Sequence, residues 1–282
     1  MTDPLIRSIS DTARWVAVYR ARETERPDAV FRDPYARALA GERGEQIARA
    51  LPMAERAEWS FIARTYAFDR FLAKEIAAGA DLVVNLAAGL DARPYRMELP
   101  PSLRWVEVDL PEILEYKESV LAGATPACAL ERVPLDLSNH DARRGLFRDL
   151  GKRSTRAIVI TEGLLIYLMA DEVGALAQDL LGPPSFDRWI VDITSPGLLA
   201  MLNEQMGELV RQAGAPYLFA PPEGPAFFDR YGWQVLSVRS LLKTAASLKR
   251  LPVFLRLVSM LPETTPAGSR PWAGVCLLGR QA

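Results

Sequence analysis

Histidine is almost missing from this sequence: His140 stands alone among 282 residues. That excludes a metal centre built on several histidines and confines any Ser/His/Asp arrangement to one residue. Cysteine is scarce as well. Cys128 and Cys276 lie far apart with no paired spacing, so no disulfide framework is expected and a reduced, cytoplasmic setting fits best. Neither sign of charge is in excess: 34 basic and 35 acidic residues give a net charge of −1, which offers no argument for a nucleic-acid or membrane-surface partner. No apolar run reaches the roughly 18 residues of a membrane-crossing helix. The opening Met1-Thr-Asp-Pro-Leu5 lacks the basic and then apolar pattern of a signal peptide. A dinucleotide fingerprint is missing too. Ala87-Ala-Gly-Leu-Asp-Ala92 has glycine at the third position only, where the G-x-G-x-x-G pattern needs three.

Apolar residues make up 49% of the chain, enough for a sizeable core. Short apolar runs alternate with helical patterns, which predicts an α/β fold with a parallel sheet covered on both faces. Five strands are expected first, at Leu82–Leu86, Leu103–Asp109, Leu130–Leu135, Ala157–Thr161 and Trp189–Ile193, and two more at Trp233–Val238 and Gly274–Leu278. Helices are expected from about Ser10 to Glu25, capped by Ser10 or Asp11, from Glu55 to Ala78, and after Asp171 as a cap. Leu248, Leu251, Leu255 and Val258 fall on one helix face; a sheet-covering helix is expected there, with a membrane-surface or dimer helix as the other reading. No linker divides residues 1–282, so a single domain is expected. Within it, residues 1–54 form an N-terminal helical cap and residues 195–230, rich in Pro, Gly and aromatics after an amphipathic segment, form a lid insertion.

The strand ends carry the chemistry. Leu82–Leu86 runs into Ala87-Ala-Gly89 and then Asp91. Small residues there admit a ligand close to the backbone, and open α/β sheets bind ligands beyond the carboxyl ends of their strands. Asp109 closes the second strand 20 residues after Gly89, where an acid suits ribose hydroxyls or, equally, a helix N-cap. Asp136 with Leu137, and then Glu162, follow the third and fourth strands. Arg64 sits on an apolar helix face with Trp59, Ile62 and Tyr66, so it needs an anionic partner, either a carboxylate of the protein or one of a ligand. Arg93 and Arg96 read as structural. Arg20 and Arg22, on the first helix, face either solvent or an anionic substrate.

Several of these stretches together resemble the leucine carboxyl methyltransferase-like family: Arg32-Asp-Pro-Tyr35, Ile62-Ala-Arg64, Val84-Asn-Leu-Ala-Ala-Gly-Leu-Asp91, Glu107-Val-Asp109 with Pro111, Thr161-Glu-Gly-Leu-Leu-Ile-Tyr-Leu168 and the weaker Tyr231-Gly-Trp233. They occur in the family's order across most of the chain. The resemblance implies a seven-stranded class I methyltransferase (Rossmann-like) fold and S-adenosylmethionine as cofactor. Bacterial members act on small molecules and eukaryotic members on a protein C-terminus. By position, Arg64 would hold the cofactor's carboxylate, Ala87 and Gly89 would line its methionine part, and Asp109 would take the ribose hydroxyls. Asp136 and Leu137 would flank the adenine, and Glu162 would approach the amine. The family usually has glycine where this chain has Ala87, so a methyl group there either crowds the cofactor or shifts the backbone.

A carboxylate acceptor is ionised at neutral pH and needs no general base, whereas a phenol benefits from one. With a single histidine, carboxyl O-methylation of a small molecule is the favoured reading. Arg20 or Arg22 then anchor the substrate, and Tyr167 is the candidate to assist or contact it. A nicotinamide-dependent oxidoreductase and a non-catalytic cofactor-binding protein are the competing readings. The first lacks its glycine fingerprint, and the second has only Ala87 in its favour.

Overall fold

A computed structural model of the chain describes residues 9–50, 57–261 and 270–281. Seven strands form one sheet in the order β3-β2-β1-β4-β5-β7-β6. They are β1 (Leu82–Leu86), β2 (Arg104–Asp109), β3 (Ala129–Pro134), β4 (Ala157–Thr161), β5 (Phe186–Thr194), β6 (Trp233–Ser240) and β7 (Ala273–Arg280). β3, β2, β1, β4 and β5 are parallel, and β7 runs antiparallel between β5 and β6. This is the seven-stranded sheet that the sequence led us to expect. β1 and β4 are buried at every residue, as their unbroken apolar runs require. The two outer strands, β3 and β6, alternate between exposed and covered positions.

Around the sheet, among the described residues, run α1 (Ile9–Glu25), α2 (Ala36–Ala50), α3 (Glu58–Ala77), α4 (Arg93–Arg96), α5 (Pro111–Leu121), α6 (His140–Lys152), α7 (Ala170–Leu180), α8 (Pro196–Gln212), α9 (Leu241–Ser247) and α10 (Val253–Ser259). One face of the sheet buries Val84, Leu86, Val106, Val108, Val159 and Trp189. The other buries Val83, Trp105, Ile158, Ile160 and Ile190 against Phe68, Phe71 and Leu72 of α3. Adjacent residues of one strand thus serve opposite cores, the period-two consequence of the pleat. α1 lies between two further clusters. Ala17 and Val18 pack with Leu39, Leu90 and Ile113, while Trp15 and Tyr19 pack with Met206, Val210 and Tyr217.

Several local expectations change. The expected start of α3 at Glu55 lies outside the described residues. Asp11 lies inside α1 rather than capping it, and its carboxylate accepts from Arg43 at 3.3 Å. Asp171 does not cap α7 either. Met169 holds that place, its N–H donating to Glu172 at 2.6 Å, because a glutamate three residues into a helix reaches back to the cap. The expected helix through Leu248 and Val258 is two short ones. Lys249 has φ 57° and Pro252 precedes α10, and each breaks a continuous helix. In the 195–230 stretch, Phe219, Phe227 and Phe228 are core residues, so only part of it remains for a lid.

Candidate functional site

Strand order reverses between β1 and β4, and there the connections from their carboxyl ends part to opposite sides. The chain leaves β1 through Ala87 (φ 51°) and Gly89 (φ 48°). The N–H of Gly89 donates to Asp109 Oδ2 at 2.6 Å, and that of Leu110 to Oδ1 at 2.7 Å. Asp109 therefore joins the loops after β1 and β2. It is not the N-cap of α5; Leu110 occupies that place without a side-chain cap. Burial raises the Asp109 pKa in spite of the two N–H donors.

At the ends of β4 and β5, Arg64 reaches in from α3. Its Nε lies 3.2 Å from Glu162 Oε1, just past β4, and its Nη1 3.2 Å from Asp192 Oδ2 on β5. Burial works against the Arg64 charge, but Asp192 and Glu162 outweigh it and hold the guanidinium more firmly protonated. Asp192 Oδ1 accepts the N–H of Gly163 at 2.7 Å. That turn needs glycine twice over: φ is 69°, and a Cβ would stand 3.3 Å from Arg64 Nη1. Burial dominates at Asp192 and raises its pKa although Arg64 opposes it.

Behind Glu162 lies a second cation. Arg93, 2% exposed, contacts Glu162 Oε2 at 2.8 Å, Asp91 Oδ2 at 2.7 Å and Asp69 Oδ1 at 2.6 Å. Arg96 adds a two-bond contact to Asp69, both bonds at 2.8 Å. Burial disfavours both aspartates' charges, yet the coulombic pull of Arg96 and Arg93 holds Asp69 low, and that of Arg93 with Lys117 and Arg96 holds Asp91 low. The structural reading of Arg93 and Arg96 is thus correct, though the partners were not foreseen.

On the other side of Arg64 the walls are aromatic. Tyr167, on a single helical turn (Leu165–Tyr167), has its ring centroid 5.7 Å from that of Tyr217 and is hydrogen-bonded to Thr12 of α1. Trp15 meets Phe61 edge-on at 5.6 Å. Burial raises the pKa of both tyrosine hydroxyls, which keeps them protonated at neutral pH. Apolar rings, one arginine and a set of acids at strand ends suit a ligand with both a carboxylate and an ammonium group.

A model of the leucine carboxyl methyltransferase family matches residues 13–180. The chain belongs to that family. Two relatives each bear the name "Putative S-adenosyl-L-methionine-dependent methyltransferase". The one from Mycobacterium avium is 36% identical over 65% of this chain and 61% of its own length. The one from Mycobacteroides abscessus is 34% identical over 73% of this chain and 66% of its own. The chain thus spans only about three fifths to two thirds of the curated relatives it matches. Among solved structures, a DUF574 family protein from Streptomyces avermitilis superimposes with a TM-score of 0.58 at 14% identity, over 94% of this chain and 97% of that one. A protein from Thermobifida fusca gives a TM-score of 0.57 at 18% identity, over 99% and 97%. These likenesses show the class I methyltransferase fold.

Within this family setting, Arg64 lies on α3, Ala87, Gly89 and Glu162 on the loops after β1 and β4, and Asp109 at the end of β2. Asp136 and Leu137 follow β3. Asp136 is exposed and its Oδ1 accepts the Ser138 N–H at 2.9 Å; Leu137 leans on the main core. Arg20 is a correction. Its Nε lies 2.9 Å from Asp33 and its Nη2 donates to the Leu90 carbonyl at 2.6 Å, so it braces the loop after β1 instead of facing a substrate. Arg22 lies 3.8 Å from Glu58. Asp192 is the site residue the sequence reading missed. Its signal was there, an acid between Val191 and Ile193 in a buried strand, where a charge requires a partner.

Ala87 occupies a backbone conformation that costs a non-glycine residue about 1–2 kcal/mol. Glycine forfeits part of that gain through its freer unfolded chain, about 0.5–1 kcal/mol. Ala87→Gly is therefore expected to stabilise the protein by about 0.5–1 kcal/mol. Urea unfolding of the two proteins measures it, and a loss of stability would contradict the strain argument.

Proposed function

We propose that the protein is an S-adenosylmethionine-dependent methyltransferase, and that it methylates an oxygen of a small molecule, a carboxylate by preference. The observation that carries the cofactor reading is the Arg64–Glu162–Asp192 cluster at the ends of β4 and β5, together with the Gly89–Asp109 bridge at the ends of the neighbouring β1 and β2, in a chain of this family. Arg64 suits a carboxylate, Glu162 and Asp192 suit an ammonium group, and Asp109 suits vicinal hydroxyls. Asp136 and Leu137 are proposed to border the adenine, although Asp136 is held only by its own turn.

When bound, the cofactor supplies a methyl group already activated by its sulfonium. What remains for the protein is to hold the acceptor oxygen in line and keep water away, and positioning of this kind supplies much of the barrier reduction. Phe61, Trp15, Tyr167 and Tyr217 form the dry side. Neither tyrosine is suited to take a proton at neutral pH, since burial keeps both hydroxyls protonated. His140 is exposed at the start of α6. An acceptor that arrives ionised needs no base, and Arg22 is the proposed anchor for its charge. Parts of 1–54 and 195–230, chiefly α1 and α8, are proposed to close over it.

Asp109→Asn tests the cofactor reading. Asparagine keeps an acceptor for one loop N–H but loses the charge, and affinity for S-adenosylhomocysteine by calorimetry is expected to fall about tenfold, or about 1.4 kcal/mol. Undiminished affinity would remove Asp109 from the site. Product analysis with a panel of acids and phenols tests the acceptor. Methyl esters are expected, and exclusive N-methylation would overturn the carboxylate assignment.

A further inference from the structure

The exposed end of the α9–α10 hairpin has the opposite pattern to an ordinary surface helix. Val253 (75% exposed), Phe254 (69%), Leu257 (75%), Val258 (46%), Met260 (79%) and Leu261 (62%) all face outward. The four on α10, at about 100° per residue, cover an arc of roughly 140°, and Met260 and Leu261 follow its end. Leu255 points the other way, into the core below α3 and α9, so the hairpin is fixed to the body while its apolar face is turned out. No residue of α10 is buried. Contiguous exposed apolar surface of this kind marks an interaction site.

The charges around it narrow the partner. There is no acidic residue between Asp229 and Glu263, while Arg239, Lys243, Lys249 and Arg256 all fall in that stretch. All four are exposed. None of them makes an ion pair among the described residues, although Arg239 stacks on Phe71 at 5.3 Å. Arg250, by contrast, is used up by Glu23 and Asp28. A balanced chain thus concentrates, in the stretch that holds this outward apolar helix, positive charges with no ion-pair partner among the described residues. A second copy of the chain is a poor occupant, because a two-fold contact sets like patches against each other. Apolar side chains flanked by lysine and arginine are what an amphipathic element presents to an anionic bilayer, apolar groups entering the acyl boundary and cations meeting lipid phosphates.

We propose that this hairpin docks the protein on the surface of membranes containing anionic lipid. Whole-chain net charge, which offers no argument for a membrane-surface partner, averages this local imbalance away. The proposal is independent of the methyl-transfer reading and needs no cofactor.

Sedimentation of the full chain with vesicles tests it. With vesicles of 30% phosphatidylglycerol in phosphatidylcholine at low salt, most of the protein is expected in the pellet. With pure phosphatidylcholine, or with 0.5 M sodium chloride, at least a fivefold smaller fraction is expected. Phe254→Glu with Leu257→Glu, both at exposed positions, should abolish binding while circular dichroism and melting temperature stay as in the parent. Lys243→Glu with Lys249→Glu should weaken binding to anionic vesicles only. Equal binding to neutral and anionic vesicles, or none to either, would overturn the proposal. So would a stable dimer in sedimentation velocity that the Phe254/Leu257 variant converts to monomer, since the face would then belong to self-association.

Discussion

Arg93→Met is expected to cost about 4 kcal/mol or more, and to leave little soluble protein at 37 °C. Methionine matches much of the volume, so the effect isolates the charge. Asp69, Asp91 and Glu162 all lean on this one guanidinium, which is 2% exposed. Removing one partner of a buried ion pair costs about 3–5 kcal/mol because the other charge stays behind, and here three carboxylates are left with fewer cations. Total stabilities are of order 5–15 kcal/mol, so the variant sits at the edge of folding. Arg93→Lys should fall in between, since an ammonium is a point charge without the planar fork that reaches three acceptors. Urea unfolding and soluble yield measure both. An Arg93→Met protein with a melting temperature close to that of the parent would show that the network carries no weight.

Arg64→Ala should act mainly on binding. Loss of a charge-assisted contact to the ligand is expected to weaken S-adenosylhomocysteine about 100-fold, or about 2.7 kcal/mol; unchanged binding in calorimetry would remove Arg64 from the cofactor site. Its effect on stability should depend on pH in a definite direction. Asp192 already has a raised pKa in the folded protein, and Arg64 is the main influence holding it down. A carboxylate whose folded pKa exceeds its unfolded one gives stability that is full below the unfolded pKa and lost as pH rises through the folded value. Without Arg64 that loss grows. The variant should therefore lie closer to the parent in stability at mildly acidic pH than at neutral pH. Glu162 is less affected, because Arg93 remains beside it. Melting curves across that pH range give the comparison.

The sheet was readable because buried parallel strands leave unbroken apolar runs, and every one of the seven was located within a few residues of its observed bounds. Asp109, Glu162 and Arg64 were readable because a charge next to an apolar run must be satisfied by something. What could not be read was which group satisfies it. Arg64 meets Asp192 across 128 positions of sequence, and Arg93 meets Asp69 across 24, and spacing carries no trace of such contacts. Arg20 shows the same limit from the other direction. A surface arginine and one bound to a backbone carbonyl look alike until the loop after β1 is in place. The hairpin after β6 misled for a different reason. Periodicity placed Leu248, Leu251, Leu255 and Val258 on one helix face, but Lys249 and Pro252 divide that helix, so that Leu251 and Leu255 turn inward and Val258 outward.

The imbalance of charge at the strand ends bears on turnover. Asp69 of α3 with Asp91, Asp109, Glu162 and Asp192 outnumber Arg64, Arg93, Arg96 and Lys117. The proposed cofactor enters with one more positive charge than its demethylated product carries away, because the sulfonium becomes a neutral thioether. A cleft with surplus carboxylate attracts the first more strongly than the second. Under the proposed reaction, methyl transfer itself would loosen the hold on what is left, and the acids proposed to admit the cofactor would favour release of the spent one.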